Sequence, residues 1–336
     1  MFRINKEVKI FFNYVIGPLL GAWLFYSLYK EIKAQPNLEY SISEIRKAAF
    51  TNNLWPMILV VFMVFVNWGI ESRKWQLLVK MIQPISYYMA VKGVLSGVAL
   101  SINTPNRVGE YGGRILFINE GNRLKAISLS MAGSLSQLII TLLMGGIGVF
   151  YLLFTISAGT ESIIGLSIFW VKILLYVSFL FGALFSILFL RLSSVFKMID
   201  RIPVLAKYKF FVETLERFDA NLLLRLISLS FFRYLVFVIQ YIVLMTVFGV
   251  HTTIFQAFWA ISVLYLVLAI VPSIAIAELG IRGKFSVALL SLYTSNYIGI
   301  MGSTFGIWFL NLFIPAITGS IFILSNKFFK DNSDQV

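Results

Sequence analysis

The feature that most constrains this chain is the recurrence of long apolar runs from one end to the other. Stretches of about 18–25 predominantly hydrophobic residues return along its sequence, each long enough to cross a hydrocarbon layer roughly 30 Å thick as a helix. Hydrophobic residues make up 59% of the 336 and charged residues only 13%. That is too little charge to clothe a water-soluble domain of this size, so the bilayer is the expected solvent and the whole chain a single all-α, polytopic membrane domain. The run at about 8–29 holds Asn13, Gly17 and Pro18 and has no small-residue cleavage site. It is expected to remain as a first span and not to be removed as a signal peptide.

Six full spans are expected, at about 8–29, 54–72, 126–154, 165–190, 226–248 and 298–325. Two further apolar stretches, about 87–104 and 255–272, run straight into Pro105 and Pro272, then into a charged, glycine-bearing passage and a second semi-apolar stretch. This pattern suits a helix–break–helix hairpin that enters the membrane and returns to the same side; eight full spans are the alternative. Broken backbone at that depth is tolerable only where protein or water satisfies its polar groups.

Loop charge favours the hairpins. The 191–225 loop carries Arg191, Lys197, Arg201, Lys207, Lys209, Arg217 and Arg225, whereas 155–164, 249–254 and 291–297 carry no Lys or Arg. With six spans and two hairpins this loop, the N-terminus, the tail and the loop with Arg73, Lys74 and Lys80 all fall on the cytoplasmic side. The 30–53 loop resists, being external yet bearing Lys30, Lys33, Arg46 and Lys47. Two segments are expected to lie at the interface as helices, one opened by Ser41 and Glu44, the other carrying Phe211, Leu215, Phe218 and Leu222 on one face.

The charged passages match each other. They read TPNRVGEYGGR (Thr104–Arg114) and VPSIAIAELGIRG (Val271–Gly283), and share the core Glu110–Gly112–Arg114 against Glu278–Gly280–Arg282. The two Glu residues stand 168 positions apart, half the length of the chain. A duplication is expected, with a first repeat at 8–160 and a second at 161–325. Three spans per repeat is an odd number, which would invert the second relative to the first, the architecture of many secondary transporters with discontinuous helices near the midplane.

The residue types suggest a site. A charge inside a bilayer costs several kcal/mol unless paired or hydrated, so embedded Glu and Arg usually serve a function. Arg107, Arg114 and Arg282 are suited to bidentate contacts with phosphate oxygens, and Glu110 and Glu278 to a cationic headgroup or a coupling proton. Gly109, Gly112 and Gly280 allow close backbone approach, while Pro105 and Pro272 leave carbonyls free at each break. Asn67, Gln137, Arg233 and Asn311 are candidates to line a cavity between the repeats, with interhelical hydrogen bonding as the plainer role. Gly145, Gly146 and Gly148 read as a close helix-packing surface.

Other chemistries are poorly served. A net charge of +13 invites a nucleic-acid reading, but the Lys and Arg are spread over short loops, where they set topology. The chain has no Cys and a single His, His251, so thiolate sites, disulfides and histidine metal clusters are excluded. No nucleotide-binding loop or Asp-rich metal motif is present; no cofactor, metal or catalytic residue is assigned, and the chain is not expected to be an enzyme.

With TPNRVGEYGGR in view, the chain resembles the transmembrane, flippase-like family of lysylphosphatidylglycerol synthases, as a stand-alone member without the aminoacyltransferase domain. Pro105, Arg107, Gly109 and Glu110 stand where that family carries Pro–x–Arg–x–Gly–Glu; Pro272, Leu279, Gly280 and Arg282 fall at its second, glycine-rich passage. Ala275, Ala277 and Glu278 depart from the glycines more usual there. The resemblance implies movement of a lipid between leaflets; the expected cargo is a phospholipid or polyprenyl-linked lipid with an anionic or zwitterionic headgroup, and loop charge puts both termini inside what is expected to be a bacterial cytoplasmic membrane. A lipid-modifying enzyme and a scaffold for an envelope-synthesis enzyme are the alternatives.

Overall fold

The structure is a computed structural model that describes residues 54–102, 104, 107–156, 162–191, 215, 218–271 and 275–325, together with Ser43. The expected first span, the 30–53 loop with Ser41 and Glu44, and both hairpin prolines, Pro105 and Pro272, lie outside the described residues. Most of the described residues are helical, joined by short turns and one small strand pair. In chain order the helices are α1 (Leu54–Val79), α2 (Tyr87–Ser101), α3 (Gly109–Ile115), α4 (Arg123–Ile156), α5 (Ile168–Leu190), α6 (Ala220–Val247), α7 (Ile254–Ile270), α8 (Ala275–Leu290), α9 (Tyr297–Trp308) and α10 (Ile314–Ser325). A short antiparallel pair, Ser162–Ile163 with Leu166–Ser167, joins α4 to α5.

Among the described residues, five helical stretches are long and apolar enough to cross a membrane: 54–79, 120–156, 168–190, 220–247 and 297–325. They correspond to five of the six expected spans. Their outer faces also require lipid. On α5 the rings of Phe169, Trp170 and Tyr176 and the side chains of Leu180 and Ile187 are exposed, a band far larger than water tolerates on a folded surface. The protein is therefore an integral membrane protein.

Several boundaries differ from expectation for identifiable reasons. Helix α1 runs seven residues past the expected end at 72, because Trp68, Glu71, Trp75, Leu78 and Val79 recur at helical spacing and are all buried. Lys74 is consequently not a loop residue but a side chain only 1% exposed. The last span is not one regular helix: a π-helical turn, Phe309–Phe313, separates α9 from α10. Pro315 lies just beyond it and has no N–H to give the Asn311 carbonyl, so the ladder loosens there. Leu215 and Phe218, expected to face the headgroups, are instead buried against Leu78, Leu129, Phe189 and Leu226.

Both expected breaks are present, as α2–break–α3 and α7–break–α8. Each opens with a side-chain cap: Ser86 accepts from the Met89 amide, and Thr253 with Gln256 forms a reciprocal capping box. The packing partners alternate along the chain: α2 lies on α10, α7 on α4, and α1 on α6. Glycines make the first two contacts close. A Cβ at Gly319 of α10 would sit 1.9 Å from the Leu95 carbonyl oxygen of α2, and one at Gly145 of α4 would sit 2.5 Å from Leu266 Cβ of α7. Gly148 packs on α7 as well, while Gly146 meets Ser178 and Phe179 of α5, so this cluster is a helix-packing surface.

Candidate functional site

The first motif is held by backbone contact. Across the break, Thr104 Oγ1 accepts from the Gly109 amide at 2.8 Å and donates to the Ser101 carbonyl at 3.1 Å, so one hydroxyl satisfies two backbone groups. Helix α3 then lies directly on α2. A Cβ at Gly109 would fall 2.2 Å from the Leu100 carbonyl oxygen, and one at Gly113 would fall 2.3 Å from the Ser96 carbonyl oxygen. No other residue fits either place. Gly112 and Gly280, the pair shared by the two motifs, do not pack this way: Gly112 has only a side-chain methyl at 3.8 Å, and Gly280 has nothing within 4 Å.

This seat aims Arg114 into the protein. It pairs with Glu110 one turn back on α3, and its Nη2 donates to Glu71 Oε1 on α1 at 2.7 Å. Glu71 is 4% exposed and also takes Lys74 Nζ at 2.9 Å and Arg233 Nη1 at 3.3 Å, so one buried carboxylate neutralises cations from three helices. Such an arrangement is tenable because each charge is paired; an isolated one would be expelled or neutralised. Lys74 Nζ further meets Ser230 Oγ at 3.4 Å, and Ser230 shares a 2.8 Å hydrogen bond with Ser136.

The second motif is met by the first. Glu278 accepts from Arg282, four residues on, at 2.8 Å, and from Arg107 Nη2 at 3.0 Å to each of its two oxygens. Arg107 thus reaches from the α2–α3 break to the start of α8. Its backbone holds φ +58°, a left-handed conformation that costs a non-glycine residue on the order of 1–3 kcal/mol and persists where surrounding contacts over-determine it. The ion pair with Glu278 is one such contact.

A cavity of about 390 Å³ opens beside this pair. Arg107, Arg233, Glu278 and Arg282 line it, with Gln137, Thr141 and Asn311 adding neutral polar groups, and Trp68, Phe237, Leu268 and Trp308 supplying apolar wall. The cavity sits at the level of the polar midpoints of the spans. Asn67, Arg233 and Asn311 fall at the centres of 54–79, 220–247 and 297–325. They are linked in series: Arg233 Nε donates to Asn67 Oδ1 at 3.0 Å, Asn67 Nδ2 to Asn311 Oδ1 at 3.1 Å, and Asn311 Nδ2 to Gln240 Oε1 at 2.9 Å. Gln240 closes the series on the Val60 carbonyl at 2.9 Å.

The structure therefore sorts the sequence candidates. Arg107, Glu278, Arg282, Gln137, Arg233 and Asn311 line the cavity. Glu110 and Arg114 do not; they belong to the Glu71 network behind its wall. Asn67 is wholly buried and holds Arg233 and Asn311 from behind. Sequence reasoning missed Glu71 and Lys74, although the apolar period Trp68–Trp75–Leu78 carries straight through them. It also missed Gly113, whose neighbour Gly112 drew attention by matching Gly280. Among the described residues no group of three His, Asp or Glu side chains is arranged to hold a metal ion.

No family model, curated protein or solved structure matches the chain. What the cavity can bind follows from its own charges and shape. Three guanidiniums line it with one carboxylate; Arg is permanently charged and presents forked donors of a shape that fits carboxylate or phosphate oxygens. An aromatic and aliphatic wall stands beside these charges.

Proposed function

We propose that the protein is a flippase-like lipid transporter, a relative of the transmembrane family of lysylphosphatidylglycerol synthases, which passes a phospholipid or polyprenyl-linked headgroup between the leaflets of a bacterial cytoplasmic membrane. The observation that carries this reading is the Arg107–Glu278 pair, which joins the two matched motifs at the mouth of an amphipathic, cationic cavity. No chemical step is part of the reading: the site offers binding groups and a path.

In this reading α2–α3 and α7–α8 are re-entrant hairpins. At 1.5 Å per residue the 15 residues of α2 extend about 22 Å and the 17 of α7 about 25 Å, short of a hydrocarbon core roughly 30 Å thick, and α3 is shorter still. One hairpin enters from the cytoplasm and the other from outside, each belonging to one of two inverted repeats, 8–160 and 161–325, with both termini cytoplasmic. The reciprocal packing of α2 on α10 and α7 on α4, about a central α1–α6 contact, is what a pseudo-two-fold axis in the membrane plane would produce. Arg73 and Lys80, exposed at the end of α1, agree with a cytoplasmic position there.

A leaflet-accessibility assay on reconstituted vesicles tests the proposal. Protein-dependent exchange of a labelled lipid is expected, reduced at least about tenfold by Arg107→Ala or Glu278→Ala, since each removes a charged partner at the cavity mouth. Wild-type exchange in both variants would sink the site.

A further inference from the structure

The cavity and the buried network behind it are not electrically balanced, and the imbalance has a definite size. Arg107, Glu278 and Arg282 form one set with a single cation in excess. Glu71, Lys74, Glu110, Arg114 and Arg233 form a second set, also with a single cation in excess, and it touches the cavity through Arg233. Every cation here touches a carboxylate, yet two positive charges are left over in net terms, in and directly behind a cavity whose Arg233 lies at a span midpoint, where excess charge is expensive. The wall beside these charges also contains unmatched hydrogen-bonding groups, shut off from the cavity space itself. The indole nitrogens of Trp68 and Trp308, both on lining residues no more than 9% exposed, have no hydrogen-bond partner. An indole N–H is a donor only, so its missing partner is an acceptor. Trp68 also carries the Arg233 guanidinium 5.3 Å from its ring centre, which brings one orphan donor next to one surplus cation.

We propose that the cavity is a site for a phosphate monoester borne on a lipid, the terminal phosphate supplying the two missing negative charges. This deepens the transport reading and rests on it for the lipid. A phosphodiester headgroup carries one charge and would leave one cation uncompensated. A zwitterionic headgroup would leave both. A terminal phosphate brings close to two charges above its second ionisation, near pH 6, and three oxygens that accept from the Arg forks. Free inorganic phosphate shares this chemistry, but leaves the wall of Phe237, Leu268 and Trp308 uncovered.

The test is equilibrium binding to the purified full chain in a neutral detergent at pH 8, read by native mass spectrometry. The probes are dioleoyl phosphatidic acid, dioleoyl phosphatidylglycerol, dioleoyl phosphatidylcholine and inorganic phosphate. The monoester is expected to bind at least about tenfold more tightly than the diester, and the diester more tightly than the zwitterion. Lys74→Met removes one surplus charge without touching the cavity wall, so the monoester's advantage is expected to fall below about threefold. Arg107→Gln, at a half-exposed side chain, makes the same prediction independently of any folding defect from a buried change. Glu278→Gln adds to the surplus and is expected to tighten the monoester.

Equal affinity for monoester and diester overturns the proposal, as does an advantage unchanged in both Lys74→Met and Arg107→Gln. Inorganic phosphate displacing phosphatidic acid at equal concentration overturns it too. Binding is read without transport, so the two readings fail separately. A protein that selects the monoester but exchanges no lipid sinks the transporter, and one that exchanges lipids without selecting the monoester sinks this inference.

Discussion

Glu71→Gln is the sharpest single perturbation of this structure. The carboxylate is the shared partner of Lys74, Arg114 and Arg233, at 2.9, 2.7 and 3.3 Å, and the first two of those side chains are 1% and 2% exposed. An amide of the same shape leaves packing intact and removes the charge. Arg114 keeps Glu110, and Arg233 keeps its hydrogen bonds to Asn67 and Gln137. Lys74 keeps only a long contact to Ser230. Removing one partner of a buried ion pair costs about 3–5 kcal/mol, a large part of the 5–15 kcal/mol that holds a typical protein folded. At about 2–4 °C per kcal/mol the expected loss is on the order of 6–20 °C in the unfolding temperature, measured by intrinsic fluorescence in detergent. Glu110→Gln is the comparison. Its side chain is 24% exposed and Arg114 retains Glu71, so the loss should be about 1 kcal/mol. Adding Lys74→Met to Glu71→Gln removes the stranded cation and should recover a substantial part of the stability, a coupling that a double-mutant cycle isolates. Unfolding of Glu71→Gln at the wild-type temperature, or no recovery in the double variant, would refute the hub.

Three further outcomes are expected. Gly113→Ala should cost about 1–3 kcal/mol, because its methyl would meet the Ser96 carbonyl, whereas Gly280→Ala, with open space around it, should stay within about 0.5 kcal/mol; unfolding temperatures compare them directly. Asn311→Leu leaves Asn67 and Gln240 each short of a buried partner and should cost about 1–3 kcal/mol, while Asn311→Asp adds a carboxylate beside Arg233 and should weaken lipid monophosphate binding in the mass-spectrometric assay. Arg107→Gln should leave stability within about 1 kcal/mol, its side chain being 43% exposed, yet lower lipid exchange at least about tenfold; a large fall in unfolding temperature would mean the pair is a structural clamp instead.

The architecture was legible where the signal was long. Five apolar runs announced five spans, and Pro105 and Pro272 announced two breaks, because length, hydropathy and missing N–H donors act locally. Helix α1 shows where the local signal misleads. Glu–Ser–Arg–Lys at 71–74 looks like the end of a membrane helix, and only the side of the helix on which Glu71 falls, in register with Trp68, Trp75 and Leu78, says otherwise. Which charges meet was legible only within each motif. Spacing four apart suggested Glu110 with Arg114 and Glu278 with Arg282, and both pairs are present. The pairs that organise the site, Arg107 with Glu278 and Arg114 with Glu71, join residues 171 and 43 positions apart through tertiary packing. The motif glycines divide in the same way. Matching picked out Gly112 and Gly280, while close packing depends on Gly109, already marked within the first motif, and on Gly113, whose need appears only when α3 lies on α2.

The contact of α10 with α2 also bears on the order in which the chain can be assembled. Helix α2 emerges from the ribosome more than two hundred residues before Gly319, yet Gly319 is what closes over the Leu95 and Ser96 backbone. Until α10 inserts, the face of α2 around Leu95 and Ser96 has no helix against it and must be covered by lipid or by other protein. A chain cut short before α10 is therefore not a smaller version of this protein but one whose α2 lacks a partner helix across its glycine-tight face.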